Sequence, residues 1–121
     1  RRRFDVRRNV ADVPGLMAQA DLAVASFGVT AYELAAMGVP AILLCLTPDH
    51  AGSAAAFVDA GMGISLGLQR DVPMEKLAAE IQVVLKNPSG IARMAHTCSK
   101  MIDGMGVIRI ARELTRRLKG A

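Results

Sequence analysis

Apolar positions along the chain fall into short runs, and the spacing within those runs changes as the chain proceeds. In "RFDVR" the apolar residues Phe4 and Val6 alternate with charged neighbours, the period of a short or edge strand. Asp12 before Val13-Pro14 is an N-cap pattern and predicts a short helix burying Leu16, Met17 and Ala20. "DLAVAS" reads as a strand. After Gly28 the apolar residues Val29, Tyr32, Leu34 and Ala36 take helical spacing, which stops near Gly38. "PAILLCL" is a continuous apolar run of strand length, as in a strand covered on both faces. Asp49-His50 opens a further helix with Ala54, Phe57 and Val58 apolar, and "GISLGL" reads as another strand. Beyond it the pattern is helical only. Asp71 and Pro73 start one helix and Asn87-Pro88 a second. Val107, Ile110, Ala111, Leu114 and Leu118 mark a third, with arginines on its other side.

The predicted order is β-α-β-α-β-α-β followed by three helices. That alternation implies an α/β fold: a partial Rossmann-like parallel sheet of about four strands with flanking helices and a helical C-terminus. Nothing precedes the first strand to cover it. With an opening Arg instead of Met, this reads as the latter part of a larger α/β domain, or as a small domain that uses a partner. At 121 residues and 52% apolar composition, one domain with a real core is expected and disorder is not.

Composition narrows the function classes. No apolar run reaches the roughly 20 residues a membrane-spanning helix needs, and no apolar stretch of signal-peptide type follows Arg1-Arg2-Arg3. Cys45 and Cys98 lie inside apolar patterns without metal-ligand spacing, so both read as reduced, buried thiols, which fits a cytoplasmic setting. The net charge of +4 gathers in "RRRFDVRR" and "IRIARELTRRLKG". A solvated basic face and a surface for an anionic partner, such as a membrane surface, both stay open. Three Phe, one Tyr and no Trp leave little for base stacking, so nucleic acid is not an expected partner.

The one break in the most apolar part of the chain, Ser26-Phe27-Gly28, carries the candidate chemistry. In an open parallel sheet, ligands collect beyond the carboxyl ends of the strands. A helix starting there turns free amides and a partial positive charge to the crevice, which suits a phosphate or diphosphate. Ser26 and Thr30 supply hydroxyls. Glu33, one turn on, could accept hydrogen bonds from vicinal hydroxyls such as those of a ribose. The competing explanation is local: Thr30-x-x-Glu33 also fits a capping box, in which both side chains satisfy the helix's own amides.

The stretch "ADLAVASFGVTAYELAAMGVPAILL" resembles the C-terminal-domain motif of GT-B-fold nucleotide-sugar enzymes. These include the UDP-sugar hydrolases of pseudaminic acid synthesis, spore-coat polysaccharide proteins and the N-acetylglucosaminyltransferases that make lipid II. The matching positions are Asp21, the strand Leu22 to Ala25, the turn Ser26-Phe27-Gly28, then Thr30, Glu33, Ala35, Gly38 and Pro40. "NVADVPGLMAQ" and "MIDGMGVIRIARELTRRL" resemble the flanking segments. The resemblance implies that residues 1–121 are one domain, the latter part of a GT-B C-terminal nucleotide-binding domain. It implies a UDP-sugar donor, with Ser26, Gly28, Val29 and Thr30 at the diphosphate and Glu33 at the ribose. It also implies an N-terminal acceptor domain as partner and a role in surface polysaccharide synthesis. Phe27 stands where such enzymes often carry glycine, so a ring could narrow the phosphate approach. Asp49, His50 and Ser53 stand where they often carry the Asn or Gln residues that hold the sugar, and are the candidate sugar or phosphate contacts here.

No nucleophile elbow, zinc motif or P-loop is present, and no catalytic residue, metal ligand or cofactor site is expected. His50 beside Asp49 could be a general acid or base, a phosphate or sugar contact, or a helix-start residue. His96, mid-helix, reads as a surface or partly packed histidine. A transferase and a hydrolase fit the motif equally. Two alternatives need no nucleotide: a non-catalytic α/β interaction module whose basic helix meets an anionic partner, and a homodimer formed through uncovered apolar surface.

Overall fold

A computed structural model describes residues 3–120. The chain is α/β. Helix α1 (Val13–Met17) leads to strand β1 (Ala23–Ser26), helix α2 (Val29–Ala36), strand β2 (Ala41–Cys45), helix α3 (Pro48–Asp59) and strand β3 (Gly63–Leu68). A short 3-10 turn, Gln69–Asp71, precedes α4 (Met74–Leu85), α5 (Pro88–Met101) and α6 (Gly106–Lys119). The strands form one parallel sheet in the order β1-β2-β3, with Ala23 opposite Ala41 and Ala41 opposite Gly63.

The sheet has three strands among the described residues, not the four expected. "RFDVR" is the element that fails. Phe4 is 87% exposed, Val6 is 73% exposed, and this stretch pairs with no strand. Alternation makes a strand only where a sheet edge takes its amides and a core takes its apolar face. The stretch meets neither. Arg1 and Arg2 of the basic start lie outside the described residues.

The predicted boundaries elsewhere follow from turn chemistry. Asp12 caps α1 through its carboxylate and the Gly15 amide (3.0 Å), and Asn87 caps α5 at Gly90 in the same way (3.0 Å). Helices α2 and α3 end alike. Gly38 (φ 75°) and Gly61 (φ 86°) take the left-handed conformation after the last turn. The Val39 amide then reaches back to the Leu34 carbonyl (2.9 Å), and that of Met62 to Phe57 (3.3 Å). Each is a Schellman closure, and each feeds directly into the next strand.

Strand β2 is central, and Ala41, Ile42, Leu43 and Cys45 are all essentially inaccessible. Its odd-numbered residues face α2 and α3, where Phe27, Ala31, Leu34, Ala35, Ala54 and Phe57 complete one apolar cluster. Its even-numbered residues face the other side, on which Ile64 shares a groove with Val84, Ile91 and Met94 of α4 and α5. Strand β1 is an edge, and its Val24 is 44% exposed. Cys98 of α5 is fully buried, its thiol donating to the Met62 carbonyl (3.4 Å), and burial pushes that thiol's pKa up.

Candidate functional site

Ser26 and Leu44 stand opposite each other in the β1–β2 register. The starts of α2 and α3 therefore open side by side at the carboxyl end of the sheet. The Phe27 ring ties them together: its centroid lies 5.9 Å from Tyr32, 5.9 Å from Phe57 and 6.5 Å from His50, all edge-to-face. Phe27 is only 6% exposed. The ring is committed to the core and does not block the mouth of α2. The narrowing that the Gly-to-Phe departure raised does not occur, because the turn from β1 into α2 drops residue 27 onto the layer beneath.

The two mouths differ in how their amides are satisfied. At α3 the local sequence closes the mouth. Pro48 has no N–H, and the Thr47 hydroxyl caps the His50 amide (3.2 Å). The Ala51 amide bonds to the Thr47 carbonyl (3.0 Å), and Asp49 sets a negative charge in the first turn. At α2 the N-cap is Gly28, which has no side chain, and no other side chain caps the helix. The Ala31 amide takes the Gly28 carbonyl (3.1 Å). Those of Val29 and Thr30 have no partner among the described residues. No acidic residue lies in that first turn. A Cβ placed on Gly28 would meet nothing within 4 Å, so the space beside the N-cap is open. Helix α4, which also starts uncapped beyond β3, carries Glu75 in its first turn. Of the three helices that follow the strands, α2 alone presents unsatisfied amides without an acid beside them.

The capping-box alternative does not hold. With Gly28 at the N-cap, Thr30 and Glu33 lie two and five positions into the helix and make no side-chain hydrogen bond among the described residues. Both are exposed. Glu33 borders a cavity of about 300 Å³ between α1 and α2, walled by Val13, Pro14, Met17, Ala36 and Met37. From the sequence alone these wall positions read as ordinary helix packing, because only the placement of α1 beside α2 makes a cavity of them.

The remaining candidates separate. Ser26 is exposed at the end of β1, and strand alternation puts its side chain with Val24 on the sheet face away from α2. Asp49 and Ser53 are exposed on α3. His50 is half-buried, and its Nδ1 is shut from solvent with no hydrogen-bond partner among the described residues. Thr47 was not among the candidates. Its signal was the Thr-Pro pair three residues before His50, an N-cap followed by proline at the first helical position. Among the described residues no group of three or more His, Cys, Asp or Glu side chains could hold a metal.

Fold and mouth together define a parallel α/β protein whose open chemistry lies at the carboxyl end of an edge strand. Comparison with known proteins narrows the class. No family model matches the chain. The spore coat polysaccharide biosynthesis protein SpsG of Bacillus subtilis is 31% identical over 82% of this chain and 29% of its own length. The UDP-N-acetylglucosamine–N-acetylmuramyl-(pentapeptide) pyrophosphoryl-undecaprenol N-acetylglucosamine transferase of Alkalilimnicola ehrlichii is 38% identical over 75% of this chain and 27% of its own. The transferase of the same name from Anaeromyxobacter is 34% identical over 97% and 32%. The chain is thus a relative of GT-B-type glycosyltransferases, the kinship its motif implied, and it spans under a third of the length of the relatives it matches.

Proposed function

We propose that this chain is the donor-nucleotide-binding part of a GT-B-fold enzyme of surface-polysaccharide or peptidoglycan synthesis, and that its ligand is a UDP-sugar. The observation that carries the reading is the uncapped, acid-free start of α2, open beside its Gly28 N-cap. A diphosphate there would take those two amides, the Thr30 hydroxyl and the positive end of the helix. Glu33 would accept from the ribose hydroxyls. The apolar cavity beyond it, against Val13, Pro14 and Met17, would take the base. Asp49, His50 and Ser53, across the mouth on α3, are left for the sugar. In a transferase or a hydrolase alike, the α2 mouth would stabilise charge on the departing UDP. The acceptor side would come from an N-terminal domain, and residues 1–121 would form the latter part of the donor domain.

Calorimetry with UDP tests this. The native chain should bind saturably. Thr30→Val and Glu33→Ala should each weaken binding roughly ten- to a hundredfold, the range for a hydrogen bond to a charged group at about 1.5–3 kcal/mol. Neither should shift stability by more than about 0.5 kcal/mol, because neither side chain holds the helix. Loss of stability on the order of 1 kcal/mol without loss of UDP would restore the capping explanation.

A further inference from the structure

Tyr32 and Glu33 are neighbours in sequence, but α2 turns them to different flanks. At about 100° per residue, Ala31, Leu34 and Ala35 form the buried side of the helix, and Tyr32 and Glu33 emerge on either side of its outward line. Glu33 borders the cavity against α1. Tyr32 leans the other way, to α3: its ring centroid lies 5.4 Å from Phe57 and 5.9 Å from Phe27, edge-to-face to both. A helical Cα–Cβ bond tilts toward the N-terminus, so the ring reaches back toward the start of α2. Phe27 stands just before that start and 6.5 Å from His50 in the first turn of α3. The Tyr32 ring therefore lies between the two mouths. Where α2 needs only packing, it uses Ala31, Leu34 and Ala35, which are buried. Tyr32, held by two aromatic partners, is still 43% exposed, and that free surface faces the cleft.

A sugar nucleotide has two substituents on its diphosphate, and they leave in different directions. With the phosphates at the start of α2 and the ribose and base on the α1 flank, the sugar leaves on the α3 flank. There it meets Tyr32. A hexose ring carries its hydroxyls at the rim and C–H groups on its faces, and a fixed aromatic ring covers such an apolar face at little entropic cost. We infer that Tyr32 is the platform for the sugar ring, and that it makes the site prefer a hexosyl nucleotide to the bare nucleoside diphosphate. This rests on the reading of α2 as the diphosphate site. Asp49 and Ser53, exposed on α3, then face the hydroxyl rim.

The chain has one tyrosine and no tryptophan, so tyrosine emission from the whole chain reports this ring alone. UDP and UDP-N-acetylglucosamine carry the same chromophore, so absorbance by the base cancels between them. Both should bind, the sugar nucleotide should be the tighter by calorimetry, and it alone should change the emission saturably. Tyr32→Phe should keep the preference. Tyr32→Leu, which fills similar space without a flat face, should bring the two ligands to one Kd, a loss of roughly two- to tenfold for the sugar nucleotide. Thermal melts show whether each variant is folded, and the emission of the native chain stands as a test without any variant. An equal emission response to both ligands, or a preference that survives Tyr32→Leu in a folded chain, would overturn the inference and leave UDP binding in place. Binding of neither nucleotide would overturn the diphosphate reading, and this inference with it.

Discussion

Gly28 and Phe27 decide the candidate site at the residue scale, and they were not equally legible. The T-x-x-E spacing of Thr30 and Glu33 is the same whether it is a capping box or an open helix face. Only the position of the N-cap separates the two, and that depends on where β1 releases the chain. Once Gly28 is the cap, both side chains are free by geometry. Phe27 looked like an obstacle because sequence gives the order of residues at a turn and not the side to which each falls. Its burial against Tyr32, His50 and Phe57 predicts a structural role. Phe27→Ala should cost about 3–5 kcal/mol in a denaturant melt. A loss below about 1 kcal/mol would place the ring in solvent, over the α2 mouth.

At the scale of elements, the parts with strong local punctuation were readable: the helices closed by Gly38 and Gly61, the helices opened by Asp12 and Asn87, and the apolar run of β2. "RFDVR" was misread because an alternating pattern states a capacity for pairing and does not supply a partner. Helix α6 was readable as amphipathic, and the exposure of its apolar stripe among the described residues was not. Its first and last turns carry exposed ion pairs. Hydrogen bonds from Arg109 lower the Asp103 carboxyl below its ordinary pKa, and those from Arg116 and Arg117 do the same for Glu113. A carboxyl depressed in the folded state contributes stability that is present above its unfolded pKa and is lost as pH falls through the folded one. Helicity of α6 should therefore decline slightly as pH drops below the ordinary carboxylate range, and less so in high salt, where such exposed pairs are already screened. Far-UV circular dichroism between neutral pH and pH ~2 checks this, and a rise in helicity on acidification would contradict it.

For the molecule as a whole, the sheet has three strands among the described residues, with β1 at its edge and Val24 half-exposed, and the chain covers under one third of each relative's length. The acceptor side of the proposed reaction would lie in the remainder of such a protein. The 121-residue chain should accordingly bind UDP-sugars without turning them over. Incubation followed by assay for UDP and free sugar should find neither, and robust turnover would move the catalytic groups into this segment. The central claim is narrower: the amides at the start of α2 are open to a diphosphate. Amide nitrogen–proton NMR during a UDP titration reads those groups directly. Saturable shifts should centre on Gly28, Val29 and Thr30 and extend to Glu33, while the His50 amide, held by Thr47, moves little. Silent resonances at Gly28 to Thr30, or shifts confined to the basic face of α6, would contradict the account.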